Sequence, residues 1–183
     1  MLKVVILPVG QVAGGVLQFI QRGLKEAFQE TEIAVLETII PIPERAYNRT
    51  RRQYHSTYIL AKMDNYVRSA KFERVLGVTE GDLYVPSLNF VFGEAQCPGK
   101  VAIVSLFRLK PEFYGEPSND KLFFERALKE SVHEIGHALG LGHCQNPLCV
   151  MFFSNSIDDT DRKRANFCEE CSLSVHKVLA SKS

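Results

Sequence analysis

An excess of charge of either sign is missing from this chain: 22 basic residues stand against 21 acidic ones, a formal net charge of +1 over 183 residues. Such a balance gives no long-range attraction to nucleic acid or to an anionic membrane surface, so neither is expected as a partner. No stretch approaches the roughly 18–20 consecutive apolar residues of a membrane span. The apolar opening MLKVVILPVG is broken too early, by Pro8 and Gly10, to serve as an export signal, and it reads as a buried first strand. No repeat, low-complexity tract or linker interrupts the sequence. A single domain over 1–183 is expected, with an N-terminal lobe over about 1–140 and a C-terminal lobe over about 141–183. The glycines at 10, 14 and 15 do not make G-x-G-x-x-G, which excludes a dinucleotide fingerprint. Cysteine is scarce as well. Five thiols, an odd number without an export signal, argue against a disulfide framework and for the reducing cytoplasm.

What is present is an alternation of strands and helices. KVVILPV over 3–9 is an apolar run of strand length, Val16 to Phe28 has apolar residues at helical spacing, and EIAVLETIIPI is β-branched and closed by prolines. This strand–helix–strand series predicts a parallel pair with a right-handed crossover. A broad helical stripe follows over 51–70, then a third strand in RVLGVTEGDLYVP. NFVFGEAQ and VAIVSLFRL read as two strands joined by a turn at 97–100, with Phe90 and Phe92 on one side of a short edge strand and Val91 on the other. After a loop at 111–120, capped by Asn119 or Asp120, a helix runs through LFFERALKESVHEIGHAL to Gly140. The tail shows little periodicity until about residue 169. The fold class is α/β. Basic clusters at Arg49, Arg51 and Arg52, and at Arg162, Lys163 and Arg164, read as solvated surface.

The chemistry gathers in HEIGHALGLGHC, residues 133–144. His133 and His137 lie four apart on a helix, so both imidazoles project from one face towards one ion. Gly140 can take positive φ and release the chain to swing back, which brings His143 in as a third nitrogen ligand. Three histidines leave the fourth tetrahedral position for water, as a catalytic zinc requires, and Glu134 sits where its carboxylate reaches that water without binding metal. The second constellation is Cys144-x4-Cys149 with Cys168-x2-Cys171. Two close cysteine pairs about 20 residues apart are the usual form of a closed zinc site, here stapling an irregular segment over 145–167 that contains little else to hold it. Cys97 stands apart without special duty.

With these residues the chain resembles the metzincin clan of zinc peptidases and, within it, the archaemetzincins. The features are HEIGHALGLGH at 133–143, the cysteine directly after it, CVM at 149–151 and CEEC at 168–171. RRQYHSTYIL and LNFVFGEA extend the resemblance along the chain. It implies a twisted, mostly parallel sheet with one antiparallel edge strand bordering a cleft, an active-site helix behind it, and a zinc-stapled C-terminal segment. It also implies that Met151 lies in a tight turn under the catalytic zinc, supporting the ligand histidines by packing. Aminopeptidase-type cleavage of peptides is what the resemblance suggests. No tyrosine follows Met151 closely, so an oxyanion helper from that position is not expected.

The expectation is therefore a cytoplasmic, monomeric zinc peptidase with two zinc ions per chain. Zinc on His133, His137 and His143 is catalytic, zinc on Cys144, Cys149, Cys168 and Cys171 is structural, and Glu134 is the general base. A peptide or protein substrate would add to the edge strand over 90–96 by main-chain hydrogen bonds. Glu94 and Glu116 are conceivable partners for a substrate ammonium. The competing class is a zinc-dependent structural or interaction protein whose catalytic-looking site is unused.

Overall fold

The computed structural model describes residues 2–29, 31–68 and 72–180. Its main sheet has five strands in the order β2-β1-β5-β8-β7: β1 (Leu2–Pro8), β2 (Thr31–Val35), β5 (Arg74–Thr79), β7 (Gly93–Ala95) and β8 (Val101–Ser105). β1 pairs in parallel with β2 and β5, β5 pairs in parallel with β8, and only β7 runs antiparallel, at the edge. The interior strands are near-continuous apolar runs because both faces are covered. Val4, Ile6, Leu76, Val78, Ala102 and Val104 pack towards α1 (Gly14–Ala27) and α3 (Asp120–Ala138). Their neighbours Val5, Leu7, Val75, Val101 and Ile103 pack towards α2 (Ser56–Val67). A small second sheet joins β3 (Tyr47–Asn48), β4 (Gln53–His55) and β6 (Leu83–Tyr84) beside the cleft.

Most expected elements stand where the sequence places them, and the departures have local causes. The second strand ends at Val35. Beyond it Leu36 still donates to Ile6 O, residues 37–39 face solvent, and Ile40 then bridges to Val9. The helix expected over 51–70 begins at Ser56, because residues 47–55 turn back on themselves through Arg52 at φ 56° to make β3 and β4. Residues 69–71 lie outside the described part. The third strand breaks at Glu80-Gly81-Asp82, and its far half, β6, joins the small sheet.

Asn119 caps α3, its side chain accepting from the Leu122 N–H, and Gly140 ends the turn beyond it at φ +101°. The segment after it corrects an expectation. A short helix, α4 (Ile157–Arg162), is set by a capping box between Ser156 and Asp159, and it is held to α3 by ion pairs rather than by metal ligands alone. Arg126 forks onto both carboxylate oxygens of Asp161 at 2.7 Å. Lys163, expected on a solvated surface, is fully buried with its Nζ 2.9 Å from Glu130. Arg51 corrects the same expectation at the other basic cluster, since its guanidinium donates to the carbonyls of Leu88 and Asn89. The chain closes with α5 (Glu169–Ala180), whose Val175 seats on the core. No described helix is long and apolar enough to cross a membrane.

Candidate metal centre

The ligand platform begins with the last two turns of α3. Val132, Ile135, Ala138 and Leu139 are buried in the core, which fixes the helix and leaves the face bearing His133, Glu134 and His137 towards the cleft. Each ring is then held from behind by a backbone carbonyl: His133 Nδ1 lies 2.8 Å from Val150 O, and His137 Nδ1 lies 2.7 Å from Leu141 O. A carbonyl can only accept, so both rings carry their proton on Nδ1 and turn a bare Nε2 lone pair forward. Those two Nε2 atoms are 3.0 Å apart. With nothing between them the lone pairs repel, whereas zinc bonds of about 2.0–2.1 Å place ligand nitrogens about 3.3 Å apart. His143 completes the group, its ring stacked on His133 with centroids 5.4 Å apart and its outer face against Phe153. All three rings offer a nitrogen within 4.8 Å of one another. Burial holds each of them below the usual imidazole range, and Lys163 adds to this, which favours the neutral form that ligands need.

Glu134 is only 4% exposed, and its Oε2 has no hydrogen-bond partner. Burial, reinforced by the neighbouring charge of Glu130 and opposed by Lys163, pushes its carboxyl well above the usual range. An exposed helix glutamate would need no explanation. A buried carboxylate with an orphaned oxygen beside three bare imidazole nitrogens fits a cation and its water. Two glycines make room for this arrangement. A Cβ on Gly93 would lie 2.5 Å from Glu134 Oε1, and one on Gly136 would collide with Met151 Sδ. Met151 is therefore packed directly under the helix turn that carries the histidines, fully buried. Sequence spacing did not single out either glycine, nor Val150 and Leu141, whose contribution is a backbone carbonyl that any residue could supply.

The four cysteines meet next door. Their sulfurs lie within 4.8 Å of one another, with Cys144 and Cys168 at 3.7 Å. That is too long for a disulfide and close to the ~3.8 Å between ligands of a four-sulfur zinc site with 2.3 Å bonds. The N–H of Asn146 donates to Cys144 Sγ at 3.4 Å and that of Cys168 to Cys149 Sγ at 3.3 Å, which favours thiolate over thiol. Hydrogen bonds from its neighbours lower Cys168, while burial raises Cys149 and Cys171. Thiols pressed this closely without a metal would leave the lower one competing for charge with the others. The arrangement suits four sulfurs sharing one cation. Cys97 is exposed, its thiol 3.6 Å from Leu141 O, and outside both groups.

β7 borders this cleft with one edge free. Phe92 O accepts from Ser105 and Gln96 N–H donates to Val101, so the alternation of an antiparallel ladder turns the N–H and C=O of Gly93 and Ala95 outward. Phe90 and Phe92 face one core and Val91 the other, as the sequence pattern predicts. Glu94 accepts at both oxygens from the hydroxyls of Ser56 and Thr57 at the start of α2.

The sequence profile of peptidase family M54 matches residues 16–177. An archaemetzincin of Methanocaldococcus jannaschii is 48% identical over 170 residues, covering 93% of this chain and 90% of its own length. One from Pyrococcus furiosus is 45% identical over 179 residues, covering 96% and 93%. Among solved structures, archaemetzincin from Methanopyrus kandleri superposes with a TM-score of 0.84 at 35% identity, covering 98% of this chain and 96% of its own. That from Archaeoglobus fulgidus, complexed with malonate, superposes at 0.81 with 40% identity, covering 94% and 99%.

Proposed function

The chain belongs to peptidase family M54, the archaemetzincins, and is a zinc metallopeptidase; from that premise we propose that His133, His137 and His143 hold its catalytic zinc and that Glu134 is the general base. The observation that carries this assignment is the buried, unpartnered Oε2 of Glu134 beside imidazoles whose Nε2 atoms are all free of protein partners other than one another. Zinc bound there supplies a Lewis acid that polarises the scissile carbonyl and lowers the pKa of a coordinated water towards about 7.

Every other step belongs to the protein. The outward N–H and C=O groups of Gly93 and Ala95 align an extended peptide along β7. Glu134 Oε2 accepts the proton of the attacking water and hands it to the leaving amine. Val150 O and Leu141 O hold the imidazoles in one tautomer, and Met151 keeps the helix turn from shifting under load. Cys144, Cys149, Cys168 and Cys171 hold a second, structural zinc, for a total of two per chain. The substrate is a peptide or protein. The finer reading is aminopeptidase-type cleavage by a monomer in the cytoplasm, where gathered free thiols stay reduced.

Glu134→Gln tests the assignment: it should leave zinc content unchanged and lower peptide cleavage by at least about a thousandfold. Retained cleavage would show that the base lies elsewhere. N-acetylation of the same peptides should abolish cleavage if the enzyme needs a free ammonium. Equal cleavage would make it an endopeptidase.

A further inference from the structure

Five aromatic rings and one arginine run out of the catalytic cleft along the surface. Phe90 helps to wall a pocket of about 180 Å³ whose other sides are Glu130, His133, Glu134, Phe92 and Phe153. The Phe90 ring touches Phe92 at 5.0 Å, and on its far side the Arg108 guanidinium lies 4.5 Å over it. That guanidinium is also 4.9 Å from Phe113, which in turn meets Phe107 at 5.4 Å and Tyr114 at 5.0 Å. Phe107, Phe113 and Tyr114 are 40%, 41% and 39% exposed, three adjoining rings that each keep a large part of their surface open. Scattered surface aromatics need no explanation, but a contiguous strip that begins in a catalytic pocket does.

We propose that this strip is the docking shelf for the part of a peptide that follows the cleaved bond, and that Phe113 with Arg108 selects an aromatic or large aliphatic residue second after that bond. The inference rests on the histidine centre being the peptidase site. A peptide lying antiparallel to β7 directs its C-terminal side from Gly93 towards Phe92 and Phe90. The residue next to the bond enters the pocket, and two extended residues cover about 7 Å, enough to carry the following side chain across Phe90 onto the shelf.

Charge gives the shelf its apolar preference. Arg108 is forked onto both oxygens of Asp82 at 2.7 and 2.8 Å, and Glu130 at the pocket base is paired with Lys163, so neither surface offers a free charge to an acidic or basic side chain. The shelf is also fixed in advance. The Tyr114 hydroxyl donates to Arg108 O at 2.8 Å, and the Asp82 fork locks the guanidinium between its two rings. Little ordering is left to occur on binding.

The test uses the zinc-loaded protein and peptidomimetic hydroxamates. Their metal-binding head fixes the register; an isobutyl group fills the first position, and phenylalanine, glycine or aspartate occupies the second. Phenylalanine should bind about tenfold more tightly than glycine, and aspartate no better than glycine. Phe113→Ala, at an exposed ring away from the metal, should remove most of the phenylalanine advantage while leaving the glycine ligand within about twofold. Equal affinity for phenylalanine and glycine overturns the proposal, as does a loss shared by both ligands in Phe113→Ala. Failure of all three hydroxamates to bind sinks the reading of the histidine centre, and the shelf with it. A dimer in sedimentation that Phe113→Ala abolishes would give the strip to a second copy of this chain instead.

Discussion

The two donor groups share a peptide bond at His143–Cys144 yet are built in opposite ways. The histidine group is braced from behind by carbonyls that fix the His133 and His137 rings and by ring contacts at His143, and its forward side is faced by Glu134 and bordered by the free edge of β7. The cysteine group is braced by N–H groups that donate to the Cys144 and Cys149 sulfurs themselves, and four sulfurs are enough to fill a tetrahedral set. Carbonyls select the tautomer of a neutral ligand; N–H groups stabilise an anionic one. The same backbone therefore makes an exchangeable site suited to chemistry and a closed one suited to holding the fold. They are also mechanically joined. Cys149, Val150 and Met151 are consecutive: one belongs to the cysteine group, the next holds His133, and the third packs under Gly136.

The largest expected effect comes from breaking the closed site. Structural four-ligand zinc contributes on the order of 10 kcal/mol to the folding of small domains. Cys168→Ser should leave one zinc per chain at most and lower the melting temperature by more than about 10 °C, as read by calorimetry and elemental analysis. Because Val150 lies between the two groups, the remaining histidine-bound zinc should also dissociate faster. An unchanged melting temperature would mean that the cysteine group does not hold the C-terminal segment.

A second variant asks how much of that segment is held without metal. Lys163 is fully buried against Glu130, which also accepts from Thr160 at 2.8 Å. Removing one member of a buried pair leaves an uncompensated charge and costs about 3–5 kcal/mol. Lys163→Met should therefore lower the melting temperature by about 6–20 °C with both zinc ions retained. Adding Glu130→Gln should restore most of the loss. If the single variant is as stable as the parent, the cysteine staple alone secures residues 145–167.

The contrast between the two groups also marks what could be read from the sequence. The gathering of the three histidines and of the four cysteines was legible, because i and i+4 on a helix and Cys-x2-Cys leave few geometric options. So were the sheet core, a short edge strand and a helix cap at Asn119 or Asp120, each carried by a local pattern, while the antiparallel direction of that edge came from the family resemblance. What escaped was whatever depends on a distant partner. Lys163 sits between two arginines in a stretch that reads as surface, and only the fold reveals Glu130 behind it. The small sheet escaped because its strands are two or three residues long, too short for a period to show. The Ser156–Asp159 capping box was present in the sequence as a signal, masked by the lack of any apolar stripe in α4.

Gly136→Ala separates the two groups more gently. The added methyl must displace Met151, an overpacking cost of about 1–3 kcal/mol. Met151 underlies the histidines, so chelators should strip the catalytic zinc faster while the cysteine-bound zinc stays put. Equal loss of both metals would show that Met151 supports the whole C-terminal lobe rather than one site.

The smallest effect on stability, and the sharpest on chemistry, belongs to Gly93→Ala. Its nearest neighbours would be the Cγ and carboxylate of the Glu134 side chain rather than backbone, and that side chain can shift towards the cleft at little cost to the fold. The melting temperature should therefore shift by no more than about 2–4 °C, the equivalent of roughly 1 kcal/mol in a chain of this size. Displacement of that side chain nevertheless takes Oε2 out of reach of the attacking water, and a base misplaced by about 1 Å can cost on the order of a hundredfold in rate. The outward N–H and C=O of residue 93 are unchanged by the substitution, so the hydroxamate with phenylalanine should still bind. A variant that binds this ligand normally, keeps both metals and has lost its turnover would locate the fault at Glu134. If binding falls together with turnover, Gly93 serves the substrate edge and not the base.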